Sequence, residues 1–147
     1  MAEPISSSAP SVFSRIIAGE LPGRFVWRSD DVVAFLTIAP IRPGHVLVVP
    51  VEQIDRWTDV PLDLWNEVNR VAHVIGGLLD AELDCERVGL IVAGLEVPHC
   101  HIHLIPIRSE ADLDFGKADH HADPAALDEM ADRIRGALAA AGHPTPG

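Results

Sequence analysis

Apolar positions along the chain change period several times, and each change marks an element. Val12, Phe13, Ile16 and Ile17 recur at helical spacing behind Ser11, which can cap a helix, and Gly19 followed by Leu21-Pro22-Gly23 stops the run. This predicts a short helix over residues 11–18. Residues 24–28 and 32–36 read as two strands joined by a turn at Ser29-Asp30-Asp31. His45-Val46-Leu47-Val48-Val49-Pro50 is apolar on both faces of an extended chain, as a central strand is. Beyond Asp59 and Pro61, Trp65, Val68, Ala72, Ile75 and Leu79 follow steps of 3, 4, 3 and 4, which predicts a long amphipathic helix. Gly76-Gly77 within it costs roughly 1 kcal/mol per glycine in helix propensity, which close packing against another backbone would explain. Residues 88–93 and 99–107 read as two further strands, and 109–123 as a polar loop. Asp123-Pro124 then opens a helix over 124–141 with Leu127, Met130, Ile134 and Leu138 inward, ending near Gly142.

Together these elements predict a single α+β domain over residues 11–141. It has a mainly antiparallel five-stranded sheet, a short N-terminal helix, a long central helix and a C-terminal helix. Residues 1–10 lack a basic n-region and an apolar h-region and read as a disordered leader; 142–147 read as a loose end. With 147 residues, 48% of them hydrophobic, the chain can bury a sizeable core. Its net charge of −11 argues against non-specific nucleic-acid binding and against electrostatic membrane anchoring. No apolar run approaches the ~18–20 residues of a membrane span. An acidic chain can still bind one phosphate group, because local donors outweigh global charge. The two cysteines, Cys85 and Cys100, fit neither a disulfide framework nor a CxxC pair, and a reducing cytoplasm is the expected setting.

The chemistry concentrates in Val97-Pro98-His99-Cys100-His101-Ile102-His103-Leu104-Ile105-Pro106. Alternate side chains of a strand share a face, so an extended run would set three imidazoles in a row, about 6.5–7 Å apart, with Cys100, Ile102 and Leu104 inward. Three uses compete. The middle imidazole could attack phosphorus while its neighbours orient it and neutralise charge. The three could hold zinc or iron. Or they could be a polar strand face with satisfied histidines. His45, at the mouth of a buried strand and behind Pro43-Gly44, is a plausible partner for the triad. His73, His120, His121 and His143 form no comparable constellation, although His120-His121 in an acidic loop is conceivable as a weak surface metal site.

Three blocks carry a resemblance: Val12-Phe13-Ser14-Arg15-Ile16-Ile17-Ala18-Gly19-Glu20-Leu21-Pro22, Pro43-Gly44-His45-Val46-Leu47-Val48-Val49-Pro50, and His99-Cys100-His101-Ile102-His103. In order and separation they resemble the histidine triad (HIT) superfamily over roughly residues 11–107, and the size resembles its Hint-like branch of nucleotide hydrolases and transferases. The resemblance implies cleavage at the α-phosphate of nucleoside phosphoramidates or related conjugates, with an AMP or GMP moiety and no cofactor. His101 would be the nucleophile and form a nucleotidyl-histidine intermediate. His99 and His45 would pair behind it and fix its tautomer, and His103 would contact the phosphate and assist proton transfer. Val12, Phe13, Ile16 and Leu21 would form the base pocket, although pattern alone reads them as helix core. A homodimer through the long helix and its neighbouring strand is also implied, with Trp65 and Gly76-Gly77 serving either that interface or the intrasubunit core.

The chain departs from the family pattern at three places. Thr37 stands where an acidic residue often contacts ribose, and its hydroxyl offers a weaker, neutral hydrogen bond. The stretch Ile91-Val92-Ala93-Gly94-Leu95-Glu96-Val97-Pro98 lacks the usual asparagine. Gly94 there matches a glycine that approaches phosphate, and Glu96 stands where a hydroxyl often contacts the phosphate or leaving group. Ser11, Ser14 and Gln53 occupy the positions of a structural-zinc Cys-x-x-Cys and histidine, and none of the three is a zinc ligand by type. No bound metal is therefore expected. Two other function classes remain open from sequence: a nucleotide-binding module without useful turnover, and a metalloenzyme ligated by His99, His101 and His103.

Overall fold

The computed structural model describes residues 9–146. Helix α1 spans Val12–Ile17, with the Ser11 hydroxyl accepting from the Ser14 amide at its N-terminus. Strands β1 (Phe25–Arg28), β2 (Val32–Leu36) and β3 (Val46–Pro50) follow. Helix α2 covers Leu62–Glu82, strand β4 Arg87–Ile91, strand β5 Ile102–Ile107 and helix α3 Pro124–Ala140. The sheet runs β1-β2-β3-β5-β4 and is antiparallel at every pairing. The fold is thus the expected α+β arrangement, and no helix of the described residues is long and apolar enough to cross a membrane.

β2 and β3 are buried along their whole length because the sheet is covered on both sides at that point. Val32, Ala34, Leu36, Val46 and Val48 alternate toward Val68, Val71, Ala72, Ile75 and Leu79 of α2 and Ile134 and Leu138 of α3. Val33, Phe35, Leu47 and Val49 alternate the other way, toward Phe13 of α1. Cross-strand partners share a face, and Phe35 pairs with Leu47, which pairs with His103. His103 therefore belongs to the α1 side of the sheet, opposite the main core.

Four boundaries differ from the sequence reading. The last strand begins at Ile102, not at 99, and the fourth runs Arg87–Ile91 rather than 88–93. The stretch 109–123 is not plain loop, for it holds 3-10 turns at Glu110–Asp112 and Phe115–Lys117. The C-terminal end is anchored as far as His143, whose ring rests 5.6 Å from that of Trp27 and whose amide bonds to the Leu138 carbonyl. Most of the expected leader, residues 1–8, lies outside the described residues, and Ala9 is tied by its carbonyl to Gln53.

Gly76 and Gly77 do not serve a close approach within this chain, since a Cβ at either would meet nothing within 4 Å. They face an open groove between α2 and β4, lined also by Ala72, His73, Val88 and Leu90. Gly44 is the opposite case. Its φ is +92°, and a Cβ there would meet Leu83 at 2.5 Å and Pro106 at 3.1 Å, so only glycine lets β3 begin where it does.

Candidate active site

A cavity of about 320 Å³ opens on the α1 side of the sheet. Its walls come from four segments: Thr37, Ala39, Ile41 and His45; Ala93 to Val97; His101 and His103; and Phe115, Ala118 and His120. Of the residues singled out from sequence, His45, His101, His103, Thr37, Gly94 and Glu96 line it together. His99 does not, and neither do Val12, Phe13, Ile16 and Leu21. Phe13 is buried beneath α1, its ring meeting His101 edge-on at 4.8 Å and His99 at 5.8 Å. Ile16 packs in the same apolar cluster, and Val12 is exposed. Sequence reasoning missed Ala39, Ile41, Leu95, Val97, Phe115, Ala118 and His120. The only available signal was Phe115, a lone aromatic in a polar stretch.

The expected single row of three imidazoles is not formed: β5 begins only at Ile102, the His101 ring still lies 4.7 Å from that of His103, and the His99 ring turns away to Ser11 and Pro50. The His99 side chain is fully buried, with Nε2 2.7 Å from the Pro50 carbonyl and Nδ1 2.8 Å from the Ser11 hydroxyl. A carbonyl can only accept, so Nε2 carries the proton and Nδ1 accepts from Ser11. The Ser14 hydroxyl donates to Gln53 Oε1 at 2.8 Å, which also accepts from the Ser11 amide at 2.8 Å. Ser11, Ser14 and Gln53 thus converge on His99 as a closed hydrogen-bonded set. Hydroxyl and amide groups already committed to one another do not fit a zinc ion, and His99 has no nitrogen free to ligate one alongside His101 and His103. Among the described residues, no three of His, Cys, Asp or Glu converge as metal ligands, which leaves His120-His121 without a third donor.

The nucleophile candidate, His101, is held by the backbone of His99. His101 Nδ1 lies 2.8 Å from the His99 carbonyl and must donate to it, so the Nε2 lone pair is free at the cavity. Burial lowers the His101 pKa, partly offset by that hydrogen bond, and so favours the neutral, nucleophilic ring.

His45 pairs with His103, not with His99, at 2.9 Å between His45 Nε2 and His103 Nδ1. The sheet register is the cause: His103 faces β3 opposite Leu47, beside the mouth where His45 sits, whereas His99 lies beyond the ladder beneath α1. The Ile41 amide donates to His45 Nδ1 at 3.1 Å, which makes that nitrogen the acceptor. His45 therefore donates from Nε2 to His103 Nδ1, and His103 keeps its proton on Nε2. Burial first, and the neighbouring imidazoles second, hold His45 down to about 4 and His103 down to about 3. Both rings are neutral donors at pH 7. The 39–41 segment that sets this polarity is itself braced, since the Asp119 amide bonds to the Pro40 carbonyl at 2.9 Å. Phe115, from the same stretch as Asp119, rests 4.9 Å from the His103 ring.

Thr37 accepts from the Ala39 amide at 3.1 Å, which leaves its hydroxyl proton available to a ligand. Gly94 has φ +74°, a left-handed turn that places its backbone at the cavity wall. Glu96 is exposed at the rim.

The HIT domain family model matches residues 18–110, which hold all five strands and the whole triad. The chain belongs to the HIT domain family. An uncharacterised HIT-like protein of Methanocaldococcus jannaschii is 36% identical over 132 residues, 85% of this chain and 98% of that one. The purine nucleoside phosphoramidase of Escherichia coli is 31% identical over 65% of this HIT protein and 85% of its own length. Among solved structures, a Hit-like protein from Bartonella henselae superposes with a TM-score of 0.77 at 26% identity, covering 87% of this chain and 96% of its own.

Proposed function

We propose that this HIT protein cleaves nucleotide conjugates at the α-phosphorus, nucleoside phosphoramidates foremost, through a nucleotidyl-histidine intermediate on His101. One observation carries the reading: His101 Nδ1 is committed to the His99 carbonyl, so its Nε2 lone pair is presented to a cavity bordered by two neutral imidazoles. His101 Nε2 attacks phosphorus and the conjugated group leaves with the bonding pair, taking a proton from solvent. Water then attacks the nucleotidyl-histidine, loses a proton to solvent and frees the ring, so one hard displacement becomes two easier ones. His103 donates from Nε2 to a phosphoryl oxygen, in the orientation set by His45 and the Ile41 amide. Thr37 binds the ribose of an AMP or GMP moiety, the Gly94 backbone approaches the phosphate, and Glu96 meets the leaving group. The likeness to the E. coli phosphoramidase supports the substrate class.

We further propose a cytoplasmic homodimer that needs no cofactor. Strand β4 is a sheet edge without a partner, and Leu90 on it is exposed beside the groove at Gly76-Gly77, which supports joining two copies there. Alkaline quench of adenosine phosphoramidate turnover tests the chemistry. A labelled adduct mapping to His101, and lost in His101→Ala, is the expected result. AMP binding with no adduct and no turnover would instead make the protein a nucleotide-binding module.

A further inference from the structure

We propose that the cavity beyond His103 is a leaving-group subsite selective for an alkylamine bearing a second positive charge, and that it disfavours a polyphosphate. This rests on the reading of His101 as nucleophile and concerns what departs from phosphorus.

The cavity lining contains no lysine and no arginine among the described residues. His45 and His103, held well below the usual histidine range by burial, add no fixed positive charge to that wall at pH 7. A polyphosphate leaving group would enter this space with several negative charges and meet no counter-charge, while the Glu96 carboxylate would repel it. Such chains call for arginine, lysine or a bound divalent ion.

The same surroundings suit a cation on an apolar stem. Ala39, Ile41, Leu95, Val97 and Ala118 offer apolar wall to a methylene chain. Phe115 is 47% exposed with one contact of its ring taken by His103, leaving aromatic surface for an ammonium group. Glu96 supplies a carboxylate at the same rim. Position is fixed as well as composition. The Asp114 carboxylate accepts from the Gly116 amide at 2.8 Å, Lys117 Nζ bonds to the Ala111 carbonyl at 2.6 Å, and Asp119 is tied to Pro40. These bonds turn Lys117 away and hold Phe115 and His120 against the cavity. The attack then proceeds with His101 Nε2 forming its bond to phosphorus as the P–N bond breaks. The departing nitrogen keeps that electron pair and takes one proton from solvent, and the distal ammonium stays between Glu96 and Phe115 without reacting.

Three adenosine 5′-phosphoramidates test this, made from propylamine, 1,3-diaminopropane and β-alanine, whose distal ends are neutral, cationic and anionic. For the wild-type protein kcat/KM is expected to rank cationic over neutral over anionic, by roughly fivefold to tenfold per step. Glu96→Gln should collapse the ranking to within about twofold, and Glu96→Lys should reverse it. Phe115→Leu should lower the cationic substrate selectively. Equal rates for the three in wild type, or a ranking unchanged in Glu96→Gln, would overturn the subsite while leaving the hydrolase reading intact. If none of the three is turned over, the hydrolase reading fails and calorimetry of their intact binding to His101→Ala decides the subsite. Affinity following tail charge upholds it, and affinity indifferent to tail charge removes it.

Discussion

His99 and His101 stand two residues apart in one motif and have opposite fates. Both ring nitrogens of His99 are engaged inside the protein, by Pro50 and Ser11, and nothing of it reaches the cavity. His101 has one nitrogen engaged, by the carbonyl of His99, and one left over. The difference teaches that the chemistry of an imidazole here follows from which of its nitrogens the fold has already used. On the proposed mechanism His99 is a positioning residue whose backbone orients His101, and His101 is the nucleophile. His45 and His103 are bonded to each other; His45 has both nitrogens engaged, and His103 lies between the extremes with its Nε2–H open to the cavity.

The largest expected effect separates the two residues directly. His101→Ala should lose at least ~10³-fold in turnover of adenosine phosphoramidate, with a smaller loss of stability than His99→Ala because only one of its ring nitrogens has a partner inside the protein. His99→Ala should instead lose roughly 2–4 kcal/mol of stability by denaturant titration, because Ser11 and the Pro50 carbonyl lose a buried partner and a cavity opens. If His99→Ala proves stable and as inactive as His101→Ala, the assigned roles are wrong.

Acid should sharpen the contrast next. The unfolded chain protonates His45 and His103 near pH ~6.5, whereas the fold holds them neutral down to about 4 and about 3. Below pH ~6.5 the unfolded state binds more protons, so stability is full above that pH and falls as the pH drops toward 4. The loss attributable to His45 across that window is on the order of 3 kcal/mol. A melting-temperature profile from pH 7 to pH 4 should be shallower in His45→Asn than in wild type; parallel profiles would refute the assigned burial of the pair.

Smaller effects test the supports on each side. Ser11→Ala removes both the α1 cap and the donor to His99, and should cost about 1–2 kcal/mol with kcat lowered more than KM is raised. Gly94→Ala forces a side chain into a left-handed turn at the cavity wall and should cost about 1 kcal/mol. Its signature is weaker AMP binding by calorimetry.

Much of the framework was legible in the chain. The alternation of Val32 to Leu36 and Val46 to Pro50 carries two apolar faces, and the structure covers both, with α2 and α3 on one side and α1 on the other. The stripe Val68, Ala72, Ile75 and Leu79 is buried as its spacing requires. Less of the site was legible. Period-2 reasoning grouped His99 with His101 and His103, yet the strand starts at Ile102, so only the last of the three lies within it and the rule did not carry back to His99. The pairing of His45 with His103 is a matter of strand register, which no local pattern encodes. Phe115 and His120 were unreadable as cavity residues because a polar stretch carries no periodicity, and tertiary bonds such as Asp119 to Pro40 alone decide where it lies.

What the sequence determined by itself is the α+β domain, the elements of its sheet, and a concentration of imidazole next to a buried strand. These follow from local periodicity and from which residue types can be buried, and both are written into neighbouring positions. Only the tertiary structure decided which nitrogen of each histidine is free. That choice is made by the Pro50 and His99 carbonyls, the Ser11 hydroxyl and the Ile41 amide; the two bonds to His99 join segments far apart in the chain, and the other two join near neighbours whose backbone shape the fold sets. A hydrogen bond fixes a tautomer only when folding has brought its donor and acceptor together: for His99 that takes Ser11 and Pro50 from distant segments, and for His101 it takes the bend of residues 99–101 that the anchored His99 ring holds.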